Sequence, residues 1–386
     1  MPSKILVVDD EADLELLINM NFRKEIRREI YAFEFAHNGR QALDKLEQHP
    51  DIEVVLSDIN MPEMDGLSLL AKINELYPLI RTVIISAYGD TANIRTALNR
   101  GAFDFITKPV DLEDLGLTLA KTLNAVEERK TAREQEKQLI GLKYELDAAT
   151  RIQTTILPRD FPPYPDRSEI DLHARMDPAK EVGGDFYDFY WVSETELGFA
   201  VGDVSGKGMP AALFMAVSRT FVKATALTGL SPADCMTRVN KSLCKESIIE
   251  MFVTLFFGIL DIKTGKIRYC SAGHNPPMLI NKKGDVYETD NTGGIMLAGM
   301  PMATFKEGEM TLETDDMLVL FTDGISEAFN MQEEEYGEIR MMQILKKAIS
   351  LNCSETIEAL FKDVETFAGE AVQSDDRTVL ALRYRG

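Results

Sequence analysis

The sequence predicts an α/β chain: a doubly wound domain built on a parallel sheet, a helical linker, and a β-rich sandwich with helices on its outside. Three observations predict it. Short apolar runs alternate with helical segments from Ile5 to Lys108. From Asp111 to Pro158 the apolar spacing is helical. Beyond Arg167 strands dominate, and turn signals join neighbouring ones. At 386 residues the chain also exceeds one ordinary core, so two domains and a connector are the natural arrangement.

The elements follow in chain order. Ile5–Val8 is a short β-branched run that ends in Asp9-Asp10, and Leu14, Leu16, Leu17 and Ile18 then form an amphipathic stretch. Val54–Leu56 ends at Asp58, Thr82–Ile85 at Ser86, and Phe103–Ile106 near Lys108-Pro109. Continuous apolar runs separated by helices indicate a parallel sheet covered on both faces. In such sheets the site lies at the carboxyl ends of the strands, where all of these polar residues fall. Leu112, Leu115, Leu119 and Leu123 then share a helical face, Glu127–Gln138 is dense in charge, and Leu139, Leu142, Leu146, Ala149, Ile152 and Ile156 resume the stripe. This is a solvated linker or a dimeric coiled coil whose heptad is broken in the charged middle. Pro158–Pro165 is an extended connector. Leu197–Val201, Thr254–Leu260, Ile267–Cys270, Met317–Phe321 and Thr378–Leu382 read as strands, and Ala211–Ala226 and Ile339–Ile349 as helices. Lys263-Thr264-Gly265 and Lys282-Lys283-Gly284-Asp285 signal hairpins. Met209–Met215 and the surroundings of Trp191 read as core.

Composition excludes several functions. A formal charge of −21 opposes non-specific nucleic-acid binding, which needs Lys and Arg on phosphates, and opposes docking on an anionic membrane. Cys235, Cys244, Cys270 and Cys353 form no Cys-x-x-Cys pair, as expected of a reduced cytoplasmic protein. The N-terminal apolar run is too short for a signal peptide, and no stretch is long and apolar enough to span a bilayer.

Two groups of residues carry chemistry. In the first, Asp9, Asp10 and Asp58 end two strands, and Ser86 and Lys108 end two others. Three carboxylates placed together would hold Mg²⁺ and leave one able to accept a phosphoryl group, with a hydroxyl and an ammonium stabilising its charge. With Asp58-Ile-Asn-Met-Pro and Thr107-Lys108-Pro109, residues 1–122 resemble the receiver domain of bacterial response regulators, a CheY-like (βα)5 fold. The resemblance implies that Asp58 is the phosphoacceptor and that Asp9, Asp10, Asp58 and the Asn60 carbonyl hold Mg²⁺. It further implies that Ser86 and Lys108 contact the phosphoryl oxygens, that Phe105 is the switch aromatic, and that a histidine kinase is the phosphodonor.

The second group is four acidic segments: Gly183-Gly-Asp-Phe-Tyr-Asp188, Gly202-Asp-Val-Ser-Gly-Lys-Gly208, Thr322-Asp-Gly324 and Ser374-Asp-Asp-Arg-Thr378. Hard, short carboxylates converging in this way suit Mg²⁺ or Mn²⁺. Two such ions can generate hydroxide near neutral pH for in-line attack on a phosphoester. Gly184, Gly202 and Gly324 are expected to provide tight turns that aim the carboxylates. Two look-alike motifs fail. Gly183–Phe186 has the form of a diguanylate cyclase signature, but Phe186 stands where a second acid is needed. Gly202–Gly208 has a P-loop flavour, but its spacing is short and Gly208 replaces the Mg²⁺-binding hydroxyl.

The four segments in this order, with Ser271-Ala-Gly-His-Asn-Pro-Pro277 between the second and third, resemble the PPM family of metal-dependent serine/threonine protein phosphatases, in its SpoIIE/RsbU-like branch. That implies an αββα sandwich over 159–386, led by a regulatory helix within 123–158, and a dinuclear Mn²⁺/Mg²⁺ centre. Asp203 would bridge the ions, with the Val204 carbonyl, Asp185, Asp323 and Asp375 completing the shells and Asp376 as the fallback for Asp375. Asp203 and Asp185 would be the catalytic pair. No arginine could be assigned as a phosphate clamp, and His274 reads as a turn residue more readily than as a general base. The implied output is dephosphorylation of a protein phosphoserine or phosphothreonine, typically on a STAS-domain anti-anti-sigma factor in a partner-switching pathway. Asp58 phosphorylation would control it through the helix of a homodimer. The alternative is a catalytically silent phosphatase-like adaptor; the complete acidic set favours an enzyme.

Overall fold

The structure, a computed structural model, describes residues 2–87, 89–246 and 251–386. The chain divides into two compact units, Met1–Leu142 and Lys143–Gly386.

In the first unit, β1 (Ser3–Val8), β2 (Tyr31–Ala36), β3 (Ile52–Asp58), β4 (Arg81–Ala87) and β5 (Asp104–Lys108) form one parallel sheet in the order β2-β1-β3-β4-β5. Its helices are α1 (Ala12–Asn21), α2 (Arg23–Arg27), α3 (Gly39–Gln48), α4 (Gly66–Leu76), α5 (Thr91–Asn99) and the start of α6 (Leu112–Ile156). Alternate residues of the strands point to opposite faces. Ile5, Val7, Val54 and Leu56 pack with Ile18 of α1 and Leu115 and Leu119 of α6. Leu6, Val8 and Val55 pack with Ala42 and Leu46 of α3 and Leu69 and Ile73 of α4. Burial on both faces is why these strands read as continuous apolar runs. The order places the topological switch point between β1 and β3, where ligands bind in open α/β sheets. Strand β2 was not among the sequence-predicted strands. It is a half-buried edge strand whose Tyr31, Phe33 and Phe35 alternate with a charged Glu34, so it lacks the continuous run of its neighbours.

The second unit contains β6 (Ile170–Asp177), β7 (Phe186–Trp191), β8 (Glu196–Val204), α7 (Met209–Ala226), α8 (Pro232–Glu246), β9 (Val253–Asp261), β10 (Lys266–Ala272), β11 (Met278–Ile280), β12 (Val286–Glu288), β13 (Gly308–Thr311), β14 (Met317–Phe321), α9 (Asp323–Ser326), α10 (Glu338–Lys347), α11 (Cys353–Ala368) and β15 (Arg377–Tyr384). Two antiparallel sheets result, β13-β10-β9-β8-β7 and β12-β11-β14-β15-β6. Period-2 alternation decides the layers. Leu318, Leu320, Leu380 and Leu382 face the central core with Phe199 and Val201. Met317, Val319, Phe321, Val379 and Ala381 face Met341 and Leu345 of α10 and Ile357, Leu360 and Phe361 of α11. Helices α7 and α8 cover the other sheet through Met215, Val222, Met236 and Val239. The architecture is the αββα sandwich.

Both predicted hairpins form: the turn at Lys263–Gly265 joins β9 to β10, and the one at Lys282–Asp285 joins β11 to β12. Gly265 and Gly284 sit there at φ of 72° and 85°, the left-handed region that favours glycine. One expectation is corrected in part. Met215 is core, but Met209 and Leu213 are exposed, because α7 buries only the face turned to the sheet.

Candidate functional site

In the first unit the strand ends do converge. The carboxylates of Asp9, Asp10 and Asp58 lie within 4.8 Å of one another, the only such trio of acidic, His or Cys groups among the described residues. Asp9 and Asp58 are buried and Asp10 is exposed. Lys108 Nζ lies 2.8 Å from Asp58 Oδ2, 3.0 Å from Asp9 Oδ2 and 3.5 Å from Glu11 Oε1. Burial alone would lower the Lys108 pKa; the contacts with Asp58 and Asp9 override it and hold the ammonium above its usual range. Burial raises the Asp9 pKa, against the pull of the Glu11 amide and Lys108. The Ser86 hydroxyl is fully buried with no hydrogen-bond partner. A buried orphan hydroxyl is costly unless something arrives to use it, and a phosphoryl group would. Asn60 follows β3 directly, and Phe105 on β5 is 37% exposed. Three close carboxylates suit one hard cation with oxygen ligands.

In the second unit the four acidic segments meet although they are far apart in sequence. Asp185 precedes β7 and Asp203 lies near the end of β8, both in one sheet. Asp323 follows β14 and Asp375 precedes β15, both in the other sheet. Asp185 is fully buried, and its Oδ2 accepts a 2.7 Å hydrogen bond from the Thr322 hydroxyl, which itself accepts from the Thr378 amide at 3.0 Å. Burial, then the charges of Asp203 and Asp376, push the Asp185 pKa well up. Asp203 is pushed up to about 7 by burial and by the charges of Asp323 and Asp375. Asp323 is raised by burial and Asp375. Carboxylates that repel one another in this way need positive charge, and hard oxygen donors fit Mg²⁺ or Mn²⁺. This set is more open than the first, as no three of its carboxylates come within 4.8 Å of one another.

Asp375 and Asp376 differ sharply. Asp376 is buried, and its oxygens accept from the amides of Ala179 at 2.8 Å, Gly184 at 2.6 Å and Asp185 at 3.4 Å. Asp375 is half exposed and faces the cluster, 2.9 Å from Lys207 Nζ. His274 is buried with its Nδ1 2.9 Å from the Thr254 hydroxyl, and burial lowers its pKa to about 4, so the ring is neutral at pH 7.

The glycines act differently from the sequence expectation. Gly184, Gly202 and Gly324 do not have positive φ. They are needed for close approach: a Cβ would lie 2.7 Å from the Val204 carbonyl at Gly184, 2.7 Å from the Phe186 ring at Gly202, and 1.9 Å from the Asp376 carbonyl oxygen at Gly324.

Gln153, on the helix that reads in the sequence as a linker, has a task that the sequence does not reveal. The buried Gln153 amide donates to the Gly183 carbonyl at 2.6 Å and accepts from the Gly183 amide at 3.1 Å. Thr150 donates to the Glu181 carbonyl at 2.8 Å, and Tyr187 donates to the Pro158 carbonyl at 2.8 Å. The C-terminal turns of α6 thus hold the loop that carries Asp185. The buried pair of Arg219 and Asp188, 2.9 Å apart, was also missed; it ties α7 to β7.

Comparison with known proteins gives two family matches: Stage II sporulation protein E (SpoIIE) over residues 193–385 and the response regulator receiver domain over residues 5–120. Phosphoserine phosphatase RsbU of Bacillus subtilis is 30% identical over 262 residues, 67% of this chain and 75% of that protein. Protein IcfG of Synechocystis is 28% identical over 267 residues, 62% of this chain but 41% of that protein, so the chain spans about two fifths of IcfG. The SiaA-PP2C domain of Pseudomonas aeruginosa superposes with a TM-score of 0.57 at 21% identity, over 64% of this chain and 98% of that one, which shows the shared fold.

Proposed function

We propose, from the premise that the chain belongs to the SpoIIE family and carries a response regulator receiver domain, that it dephosphorylates phosphoserine or phosphothreonine on a protein under control of Asp58. One observation carries the reading: Asp185, Asp203, Asp323 and Asp375, from four distant segments and both sheets, act on one another's ionisation. Asp203, which feels the charges of Asp323 and Asp375 and shares a hydrogen bond with Asp185, would hold the cations in common with them. Val204 offers its carbonyl beside it, and the engagement of Asp376 with three amides supports Asp375 as the ligand. Bound Mn²⁺ or Mg²⁺ supplies Lewis acidity and a more acidic water. The protein's own part is to hold the carboxylates. Thr322 fixes one Asp185 oxygen, Asp376 fixes the Asp185 loop, and the neutral His274 braces β9 through Thr254.

Control enters at the receiver. Asp58 is the phosphoacceptor in this reading, Asp9, Asp10, Asp58 and the Asn60 carbonyl hold Mg²⁺, and Ser86 and Lys108 receive the phosphoryl oxygens supplied by a histidine kinase. A change at the C-terminal end of α6 reaches Asp185 through Gln153 and Thr150. The exposed apolar side chains Leu139, Leu142 and Ile152 on α6 support a homodimer through that helix. No described helix is long and apolar enough to cross a membrane, and a cytoplasmic location accords with that. The substrate we infer is a phosphorylated STAS-domain anti-anti-sigma factor, in line with the phosphoserine activity named for RsbU.

The test is Mn²⁺-dependent release of phosphate from phosphorylated STAS proteins, with and without a small-molecule phosphodonor for the receiver. The phosphodonor is expected to change the wild-type rate and to leave Asp58→Ala unaffected. Equal responses in both proteins would refute control through Asp58. Binding of the STAS protein with no hydrolysis would favour the silent adaptor.

A further inference from the structure

We propose that Lys207 is the group that grips the phosphoryl oxygens of the substrate, the part that no arginine in the sequence could be assigned; this rests on the phosphatase reading above. Lys207 is the one cation in ion-pair contact with the four acidic ligands among the described residues. It stands three residues beyond Val204, on the loop that runs from β8 to α7, so it is tied to the strand that bears Asp203. Its Nζ contacts Asp375 Oδ2 at 2.9 Å and also meets the Ser374 carbonyl, and its charge is felt at Asp323. The side chain is 38% exposed, so it reaches the carboxylates from the solvent side, the side from which a phosphoprotein must arrive.

Two of the neighbouring guanidinium groups are committed elsewhere, and the third is buried beneath the surface. Arg219 pairs with Asp188, Arg175 pairs with Asp177 and Glu358, and Arg377 is buried. Lys207 is held loosely by contrast. Its partner Asp375 is itself 41% exposed, and ion pairs between exposed groups are weak. Gly206 and Gly208 flank it at φ of 90° and 78°, with open space where their Cβ atoms would be. An ammonium on such a loop can leave Asp375, once that carboxylate serves a cation, and turn its three N–H donors onto a phosphoryl group. The residue that spoils the P-loop pattern by its spacing thus does phosphate work of a different kind.

The experiment compares wild type, Lys207→Ala and Lys207→Arg as full chains. Three quantities are read: Mn²⁺ affinity by calorimetry, affinity of the Mn²⁺-loaded protein for inorganic phosphate by calorimetry, and KM and kcat on a phosphoserine peptide. Loss of a charged hydrogen bond predicts about ten- to hundredfold weaker phosphate binding and a similar rise in KM for Lys207→Ala. Mn²⁺ affinity should stay near the wild-type value, and Lys207→Arg should recover most of the phosphate affinity. Weaker Mn²⁺ binding with unchanged phosphate affinity would overturn the proposal and leave Lys207 as a positioner of Asp375. Phosphate affinity unchanged in Lys207→Ala would overturn it whatever the Mn²⁺ result. A wild-type chain that hydrolyses nothing would count against the phosphatase reading, while the phosphate isotherms would still decide the role of Lys207.

Discussion

Asp203→Ala should reduce phosphoserine hydrolysis on the order of a thousandfold or more while leaving the fold intact. The size follows from the several kcal/mol that bound cations contribute to phosphoester cleavage, at 1.36 kcal/mol per tenfold in rate. Asp203 is the carboxylate on which Asp323 and Asp375 both act, so its loss removes the link between the two halves of the site. A second readout separates this from misfolding. The Asp203 pKa is raised to about 7, from 3.8, so the protonated form favours the fold. That contribution is complete below about pH 4 and is lost as pH rises through about 7. At pH 8 the metal-free wild type therefore carries an ionised carboxylate against burial and its acidic neighbours, and alanine relieves it. Metal-free Asp203→Ala should melt no lower than wild type in calorimetry at pH 8. Added Mn²⁺ should raise the Tm of wild type, by mass action on the folded state, but not that of the variant. An Mn²⁺-dependent Tm rise of wild-type size in Asp203→Ala would remove Asp203 from the metal site.

Gly324→Ala should damage both stability and activity. A Cβ at Gly324 would lie 1.9 Å from the carbonyl oxygen and 2.8 Å from the carbonyl carbon of Asp376, both backbone atoms that no rotamer change can move. The start of β15 must therefore shift away from α9. Overpacking of this kind costs about 1–3 kcal/mol and sometimes more. The shift also separates Asp323, next to Gly324, from Asp375, next to Asp376. Misplacement by about 1 Å costs on the order of a hundredfold in rate. Urea unfolding and Mn²⁺-dependent hydrolysis check the two effects, and a variant that matches wild type in both would show that the strand gives way without harm.

The sequence revealed most where one local pattern was enough. The receiver was legible because β1, β3 and β4 hold apolar runs that stop at or beside a site residue, and the parallel order brings those ends together. The four aspartates of the second cluster stood out because each has an acid or glycine beside it next to an apolar run. What escaped depends on partners distant in sequence. Asp376 grips amides almost two hundred residues upstream, and Gln153 reaches Gly183 from a helix that otherwise reads as a linker. Neither leaves a periodicity. Helices α8 and α11 escaped for a different reason. The start of α11 is marked by Asn352 and Glu355, which form a reciprocal capping box, but this signal lies about twenty residues before the nearest acidic segment.

The clasp between Gln153 and Gly183 has a thermodynamic consequence. It belongs to the same loop as Asp185, so ordering cannot pass along it in one direction only. If the end of α6 helps the loop receive a cation, the cation must stabilise the end of α6 by the same factor, because coupling between two binding events is reciprocal. Divalent metal is then an input to the protein as well as its cofactor, and the abundance of Mn²⁺ would set how readily the helix responds. Slower amide exchange across residues 150–158 when Mn²⁺ is added would register that influence, and unchanged exchange would show the helix blind to the metal.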